Sequence, residues 1–400
     1  MNTNAASEKS FCGGSRVAIE RCPEYEPELV YRALKKAAEA AGIPDAAGKT
    51  VLLKPNILMD TTPDKVVTTH PVFLEAAIRL AAEWGASRIL VGDSPGLQGP
   101  AFAARLCGLR ETALKNSAEW VDFTKGSVEL EIPEGRVHRK FTVTKAVNDA
   151  DLIISLPKLK NHQLMLFTGA IKNTFGLIPS LGKTPFHVMY SSRDAFASML
   201  VDLNLLIKPA YVLMDAVIAM EGPGPSGGKP RQLGLVLASP NILAADIAAC
   251  SIVGYPPEKI PANRDALSRR FWLNDINEIE YPLLKPDDVK CPGFVKIPFT
   301  KSRSQLVDFL VPGPLKKLLN TRNSKPKING EKCLRCGDCV RICASGAMYF
   351  TGGEAAVLKP GTSTAASPGP DGARRVAINY EKCISCYCCH EICSAHAIDI

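Results

Sequence analysis

Eight cysteines near the C-terminus carry the plainest chemistry in this 400-residue chain. Cys333, Cys336, Cys339 and Cys343 stand in C-x2-C-x2-C-x3-C spacing, and Cys383, Cys386, Cys389 and Cys393 repeat it fifty residues later. Nine of the fourteen cysteines fall in this region, which in a reducing compartment points to metal and away from cystine. Structural zinc sites generally use two separated C-x2-C pairs. Complete four-cysteine runs are the ligand pattern of 4Fe–4S clusters. Three thiolates on a tight turn reach three iron corners of one cubane, while the fourth, on the following helix, serves the other cluster. The spacing therefore predicts two 4Fe–4S clusters. Cys333, Cys336, Cys339 and Cys393 hold one, and Cys383, Cys386, Cys389 and Cys343 the other. Cys388 reads as a spare thiol. Cys12, Cys22, Cys107, Cys250 and Cys291 are scattered and read as buried or incidental.

A second set of polar residues follows short apolar runs in the first half of the chain. The segments are Lys54-Pro55-Asn56, Gly92 to Gly96 (GDSPG), Pro157 to His162 (PKLKNH) leading into Thr168 to Gly176, and Asp215 followed by Glu221 to Gly228 (EGPGPSGG). Each reads as a loop after a strand, and in a parallel sheet such loops converge at the carboxyl edge, where ligands bind. They would bring together Lys54, Asn56, Lys158, Lys160, Asn161, Lys172 and Asn173, amines and amides suited to an anionic small molecule. Asp93, His162 and Glu221 are the candidates for moving protons there. His70 reads as part of a helix start, and His138 and His187 as structural or surface residues. No P-loop lysine motif and no Ser-His-Asp arrangement occurs.

The elements that must position these residues alternate. Strands are expected at Arg16–Ile19, Val51–Lys54, Arg88–Gly92, Leu152–Leu156, Tyr211–Met214 and Leu233–Leu237, and helices at Pro27–Ala41, Pro71–Trp84 and Ala101–Trp120. This rhythm predicts an α/β fold, a mostly parallel sheet with flanking helices. Val128–Ile132 and Lys140–Thr144 alternate apolar and polar and read as a hairpin-like addition. The expected domains are 15–284, a basic Pro-rich connector at 285–326, and a small α+β domain at 327–400. Residues 352–375 read as a flexible loop.

The formal net charge of +8 is concentrated in the connector, which holds nine Lys and Arg against three Asp. That distribution argues against a nucleic-acid face. Within the connector, Gln305–Leu319 is apolar with a basic end; it reads as linker, with docking on a partner or a membrane surface as the alternative. No run of eighteen apolar residues exists, so no transmembrane segment is expected, and Met1–Gly14 lacks the pattern of a signal peptide. The expected location is the cytoplasm.

Residues 327–400 resemble the bacterial two-cluster ferredoxin domain. Ala344 and Ser394 stand where that domain usually has Pro after the fourth Cys. The segments KPN, GDSPG, LPKLKNHQLMLFTGAIKNTFGLIP (Leu156 to Pro179) and Asp215 with MEGPGPSGG resemble the family catalogued as domain of unknown function 362 over about residues 15–255. Its members often carry a C-terminal ferredoxin domain. The resemblance implies this domain layout and an electron-transfer role, and supplies no substrate. Three functions remain open: a ferredoxin-type electron carrier serving a redox partner protein, a reductase of an anionic metabolite or cofactor, and an iron–sulfur assembly or sensing factor. The near-neutral ferredoxin portion suits electron exchange within one chain or complex more than free diffusion.

Overall fold

A computed structural model describes residues 14–97, 99–299, 325–351 and 375–400. The chain enters on β1 (Ala18–Arg21) and α1 (Pro27–Ala41). It continues through β2 (Thr50–Pro55), α2 (Pro71–Glu83) and β3 (Arg88–Val91). His70 caps α2, its side chain accepting the N–H of Val72. The stretch 101–120, expected to be one helix, divides into α3 (Pro100–Ala103), α4 (Leu109–Lys115) and a short strand β4 (Glu119–Trp120). Gly108, with φ 73°, breaks it in a left-handed turn. The hairpin β5 (Ser127–Glu131) and β6 (Lys140–Thr144) forms as its alternation predicts, followed by α5 (Ala146–Asp149).

Next come β7 (Leu152–Leu156), β8 (Lys158–His162), β9 (Leu166–Thr168) and α6 (Ala170–Asn173). After α7 (Thr184–Met189) and α8 (Arg193–Ile207), β10 (Tyr211–Glu221) and β11 (Lys229–Ser239) form a long antiparallel ribbon. Helices α9 (Ile242–Ile252) and α10 (Pro261–Arg269) complete the layer. The sheet runs β1-β11-β10-β7-β2-β3-β4, with β8 added on β10 and β9 on β8. Its centre is parallel, and β1 and β11 make an antiparallel edge. Along β2, alternate residues face opposite layers. Val51 and Leu53 pack toward α1 and α2, and Leu52 toward the layer that contains α8 and α9.

Two expectations change. Pro157–His162 is not a loop: Lys158–His162 is a strand in which all five residues are buried. Asp215 lies within β10 and not after it. The first part of the connector, residues 285–299, packs on the α/β layer. Phe294 and Ile297 are buried, and the N–H groups of Cys291 and Ile297 bond Ile252 O (2.8 Å) and Tyr255 Oη (2.7 Å). Gln305–Leu319 and most of the 352–375 loop lie outside the described residues.

The C-terminal portion is an internal repeat. It contains β12 (Lys327–Ile328), α11 (Asp338–Ile342), β13 (Met348–Thr351), β14 (Arg375–Ile378), α12 (Cys388–Glu391) and β15 (Ile398–Asp399). β12 pairs with β15 and β13 with β14, both antiparallel. Asn329 and Asn379 play equivalent parts ahead of the two motifs. Their carbonyls accept the N–H of Cys333 and Cys383, each at 3.1 Å. Their side-chain Oδ1 atoms cap Glu331 and Glu381.

This portion docks on the loops at the carboxyl edge of the sheet. Tyr387 enters the larger α/β core, and Leu97 packs against Ile342, Cys388 and Ile392. The His390 ring reaches from Ile398 O (Nδ1, 2.6 Å) across to Pro223 O (Nε2, 3.0 Å) in the Gly-rich loop.

Asp246 of α9 fixes the start of α6 by accepting the N–H of Ala170 and Ile171 (2.5 and 3.0 Å). A Cβ at Gly169 would fall on that carboxylate. Gly169→Ala is therefore expected to cost about 1–3 kcal/mol, read as a lower urea midpoint. An unchanged midpoint would mean that this junction yields without cost.

Candidate functional site

The α/β side of the site begins with an ion pair. Lys54, at the end of β2, and Asp93, just past β3, are both buried, with Nζ 2.7 Å from Oδ1. Asp93 also accepts the N–H of Ile57 (2.6 Å) and of Ser94 (2.7 Å). Lys54 donates to Asn173 Oδ1 at 3.2 Å, and Asn173 Nδ2 returns bonds to Lys54 O and Ser155 Oγ, each 3.0 Å. Burial pushes the Lys54 ammonium below the usual lysine range, and Asp93 opposes that shift. Gly176 makes the arrangement possible, since a Cβ there would come within 2.5 Å of Lys54 Nζ.

Beside this pair lies a cleft of about 770 Å³, part of it open to solvent. Its α/β wall includes Lys54, Asn56, Asp93, Lys172, Asn173 and Gly176, with Ser180, Lys183, Thr184 and His187. Its other wall is Ile342, Cys388, Glu391 and Ile392, from the cysteine-rich portion. The site is thus shared between the two parts of the chain. The Lys172 ammonium sits 5.7 Å from the centre of the Phe175 ring, and Lys183 donates to the carbonyl of Ser94. Burial lowers both amines, Lys183 to about 7. His187 stacks on Phe196, with ring centres 4.7 Å apart, and burial lowers it to about 3. Its Nδ1 has no hydrogen-bond partner among the described residues.

Five sequence-predicted residues thus line one cleft: Lys54, Asn56, Asp93, Lys172 and Asn173. The others stand outside its lining. Lys160 donates to Asn56 Oδ1 (2.7 Å) and Val67 O (2.6 Å), holding Asn56 from behind. Lys158 is buried against Asp215 (2.9 Å) and also bonds Tyr25 Oη. Asn161 Nδ2 bonds Val295 O (2.6 Å) and Gly222 O (3.1 Å), and Glu221 accepts the Val295 N–H (3.0 Å). His162 Nδ1 accepts N–H bonds from Leu164 and Met165, so the ring proton belongs on Nε2. That atom faces Glu391 Oε1 at 3.2 Å.

Sequence reasoning missed Lys183 and Glu391 and gave His187 a structural or surface role, where the structure lines the cleft with it. Lys183 and His187 lie in and beside short helices without periodicity. Glu391 arrives only through domain docking.

The cysteine loops bring their thiols near one another. Cys339 lies within electrostatic reach of Cys333, Cys336 and Cys393. Cys389 lies within reach of Cys343, Cys383 and Cys386, as well as of Cys339. Cys343 Sγ accepts the N–H of Ala347 (3.2 Å) and Met348 (3.4 Å), and Cys393 Sγ that of Ala397 (3.3 Å). Such N–H···S bonds favour thiolate ligands.

The model of domain of unknown function 362 matches residues 51–251, and that of a 4Fe-4S dicluster domain matches residues 332–397. The chain belongs to the domain of unknown function 362 family, with an iron–sulfur ferredoxin domain at its C-terminus. It is 31% identical over 279 residues to a thylakoid-associated protein of Synechocystis sp., covering 68% of this chain and 85% of that protein. Among solved structures it is similar to the lactate racemase apoprotein of Thermoanaerobacterium thermosaccharolyticum. Identity there is 15%, the TM-score is 0.38, and coverage is 58% of this chain and 56% of that one. A protein of Thermotoga maritima gives 15% identity and a TM-score of 0.36, with 58% and 59% coverage. The chain thus spans somewhat over half the length of each of these two structures. Among the described residues, no helix of this family member is long and apolar enough to cross a membrane.

The crossed sharing expected from the cysteine spacing makes a specific prediction. Cys343→Ala with Cys383→Ala removes two ligands of one cluster and should leave about half the iron. Cys343→Ala with Cys333→Ala touches both clusters and should lose nearly all of it. Iron and sulfide analysis after anaerobic reconstitution reads the difference. Equal losses in the two double variants would overturn the crossed assignment.

Proposed function

We propose that this family member is an iron–sulfur oxidoreductase that passes electrons to an anionic small molecule held in the cleft between its two parts. One observation carries this reading: lysines 54, 172 and 183 line one wall of the cleft, and α12, between two cysteines of the second motif, lines the other. The clusters, when bound, supply single electrons. The chain's own residues do the rest. Lys54 and Asp93 fix the cleft floor, and Asn173 locks them together. Lys172 and Lys183 offer charge to an anion, while Ile342 and Ile392 supply the apolar side.

The first cysteine motif suits the entry of electrons from a donor protein. Cys336 is exposed, and Leu334 beside it is 71% exposed. The second motif is turned inward, with Cys388 and Cys389 buried. This arrangement favours the reductase among the three open functions. A carrier serving only another protein has no use for lysines enclosed against its inner motif. A cytoplasmic location is the accompanying expectation.

Thr184→Trp tests the reading by placing an indole in the cleft from α7, away from the cysteine loops. Reduced protein, kept anaerobic, is mixed with fractions of a metabolite extract, and cluster absorbance reports reoxidation. One fraction should reoxidise the native chain, and the variant should respond more than tenfold more slowly with an unchanged cluster spectrum. Equal rates in the two proteins would place the acceptor elsewhere.

A further inference from the structure

The buried and half-buried lysines around the site are not treated alike, and Lys160, behind the cleft, is held by Asn56 Oδ1 and Val67 O. Lys54 has Asp93 and Lys158 has Asp215, each carboxylate within 2.9 Å. Lys172 and Lys183 also extend into the protein, yet neither has a carboxylate partner among the described residues. Lys172 has the face of Phe175, and Lys183 a backbone carbonyl of Ser94. Both ammonium groups line the same cleft, and the unpartnered Nδ1 of His187, a side chain only 7% exposed, belongs to its wall. Of the two acids in the cleft, Asp93 is committed to Lys54 and to two backbone N–H groups. Glu391 stands on the opposite wall, facing His162.

We propose that Lys172 and Lys183 together bind a doubly charged oxyanion, a phosphate monoester or a pair of carboxylates, with His187 completing its hydrogen bonds. This deepens the reading above by naming the charge class of the molecule that occupies the cleft. Two ammonium groups without counter-ions, in a partly enclosed site, are most favourably satisfied by two negative charges. A single carboxylate would leave one amine uncompensated. The hydroxyls of Ser180 and Thr184 lie on the same wall and add neutral donors.

The pH dependence follows with a definite sign. Charged or titratable groups facing Lys183 and Lys172 are Lys54 and Asp93 from the strand ends, Lys160 and His162 from β8, His187 from α7, and Cys388 and Glu391 from α12. Burial holds Lys183 at about 7, so the amine loses its proton as the pH rises through that value. An anion stabilises the charged form and raises that value. Affinity is therefore highest below about pH 7 and falls above it. Binding takes up a proton at about pH 8 and almost none at about pH 6.

The test is calorimetry on the oxidised, cluster-loaded full chain with sulfate and malonate as dianionic probes and acetate as the monoanionic control. Sulfate keeps its two charges over the whole range, so proton uptake reports the protein. Sulfate or malonate should bind at least tenfold more tightly than acetate. Sulfate stronger than malonate points to a phosphate-like group, and the reverse to a dicarboxylate. Lys172→Ala and Lys183→Ala should each weaken binding about tenfold or more. Lys183→Arg, which keeps the charge and guards against misfolding as the explanation, should restore most of it. Equal affinity for acetate and the dianions, or unchanged binding in both alanine variants, overturns the proposal. Calorimetry involves no electron transfer, so a dianion that binds but never affects reoxidation would count against the oxidoreductase reading alone.

Discussion

The arrangement around the cleft depends on the ion pair between Lys54 and Asp93. Each residue sits at the end of a different parallel strand, and the pair is buried with almost no exposure. Placing two charges there is costly, and their attraction offsets the cost only when their remaining hydrogen bonds are filled. They are filled: Asp93 takes two backbone N–H groups, and Lys54 finds Asn173 and the carbonyl of Pro55. Through Asn173 the pair fixes α6, and α6 carries Lys172. Through Ser94 it fixes the loop that receives Lys183. Removing one partner would leave an uncompensated buried charge, a loss of about 3–5 kcal/mol. The absence of a side chain at Gly176 follows from the same constraint, because any Cβ would displace the lysine.

Legibility in the sequence followed the range of the interactions involved. The cysteine motifs are readable because a cubane draws three ligands from one turn, which writes its demand into consecutive residues. Strands β2, β3 and β7 are readable because a sheet covered on both faces demands continuous apolar runs. Strand β8 is not, since KLKNH has the composition of a loop. It becomes a buried strand only because each polar side chain finds a partner. Lys158 finds Asp215, Lys160 finds Asn56 and Val67 O, Asn161 finds Val295 O, and His162 finds two backbone N–H groups. Most of those partners are far away in sequence. The same explains Glu391, which reaches the cleft by docking of the cysteine-rich portion.

That docking turns two separately readable modules into one site. The Gly-rich loop after β10 receives α12. Pro223 O accepts from His390, and Gly227 leaves room for that ring, whose Cε1 would lie 3.2 Å from an added Cβ. Asn161, Glu221 and Tyr255 brace this loop and the 291–297 segment behind it. Several polar residues that looked like ligand contacts therefore serve the seat of the ferredoxin portion. In the proposed site the ligand would meet the strand ends and α6 and α7.

The unequal treatment of the lysines then carries the argument from packing to function. Lys54 and Lys158 each receive a carboxylate, and Lys160, behind the cleft, is held by Asn56 Oδ1 and Val67 O. Lys172 and Lys183 instead receive an aromatic face and a backbone carbonyl, and burial depresses both. A group left uncompensated lowers stability, and such departures concentrate where a site is kept ready for something absent from the folded chain. Lys172 and Lys183 face the same cleft, and the opposite wall comes from the iron–sulfur portion. Electrostatic strain and nearness to the inner cysteine motif thus converge on one place.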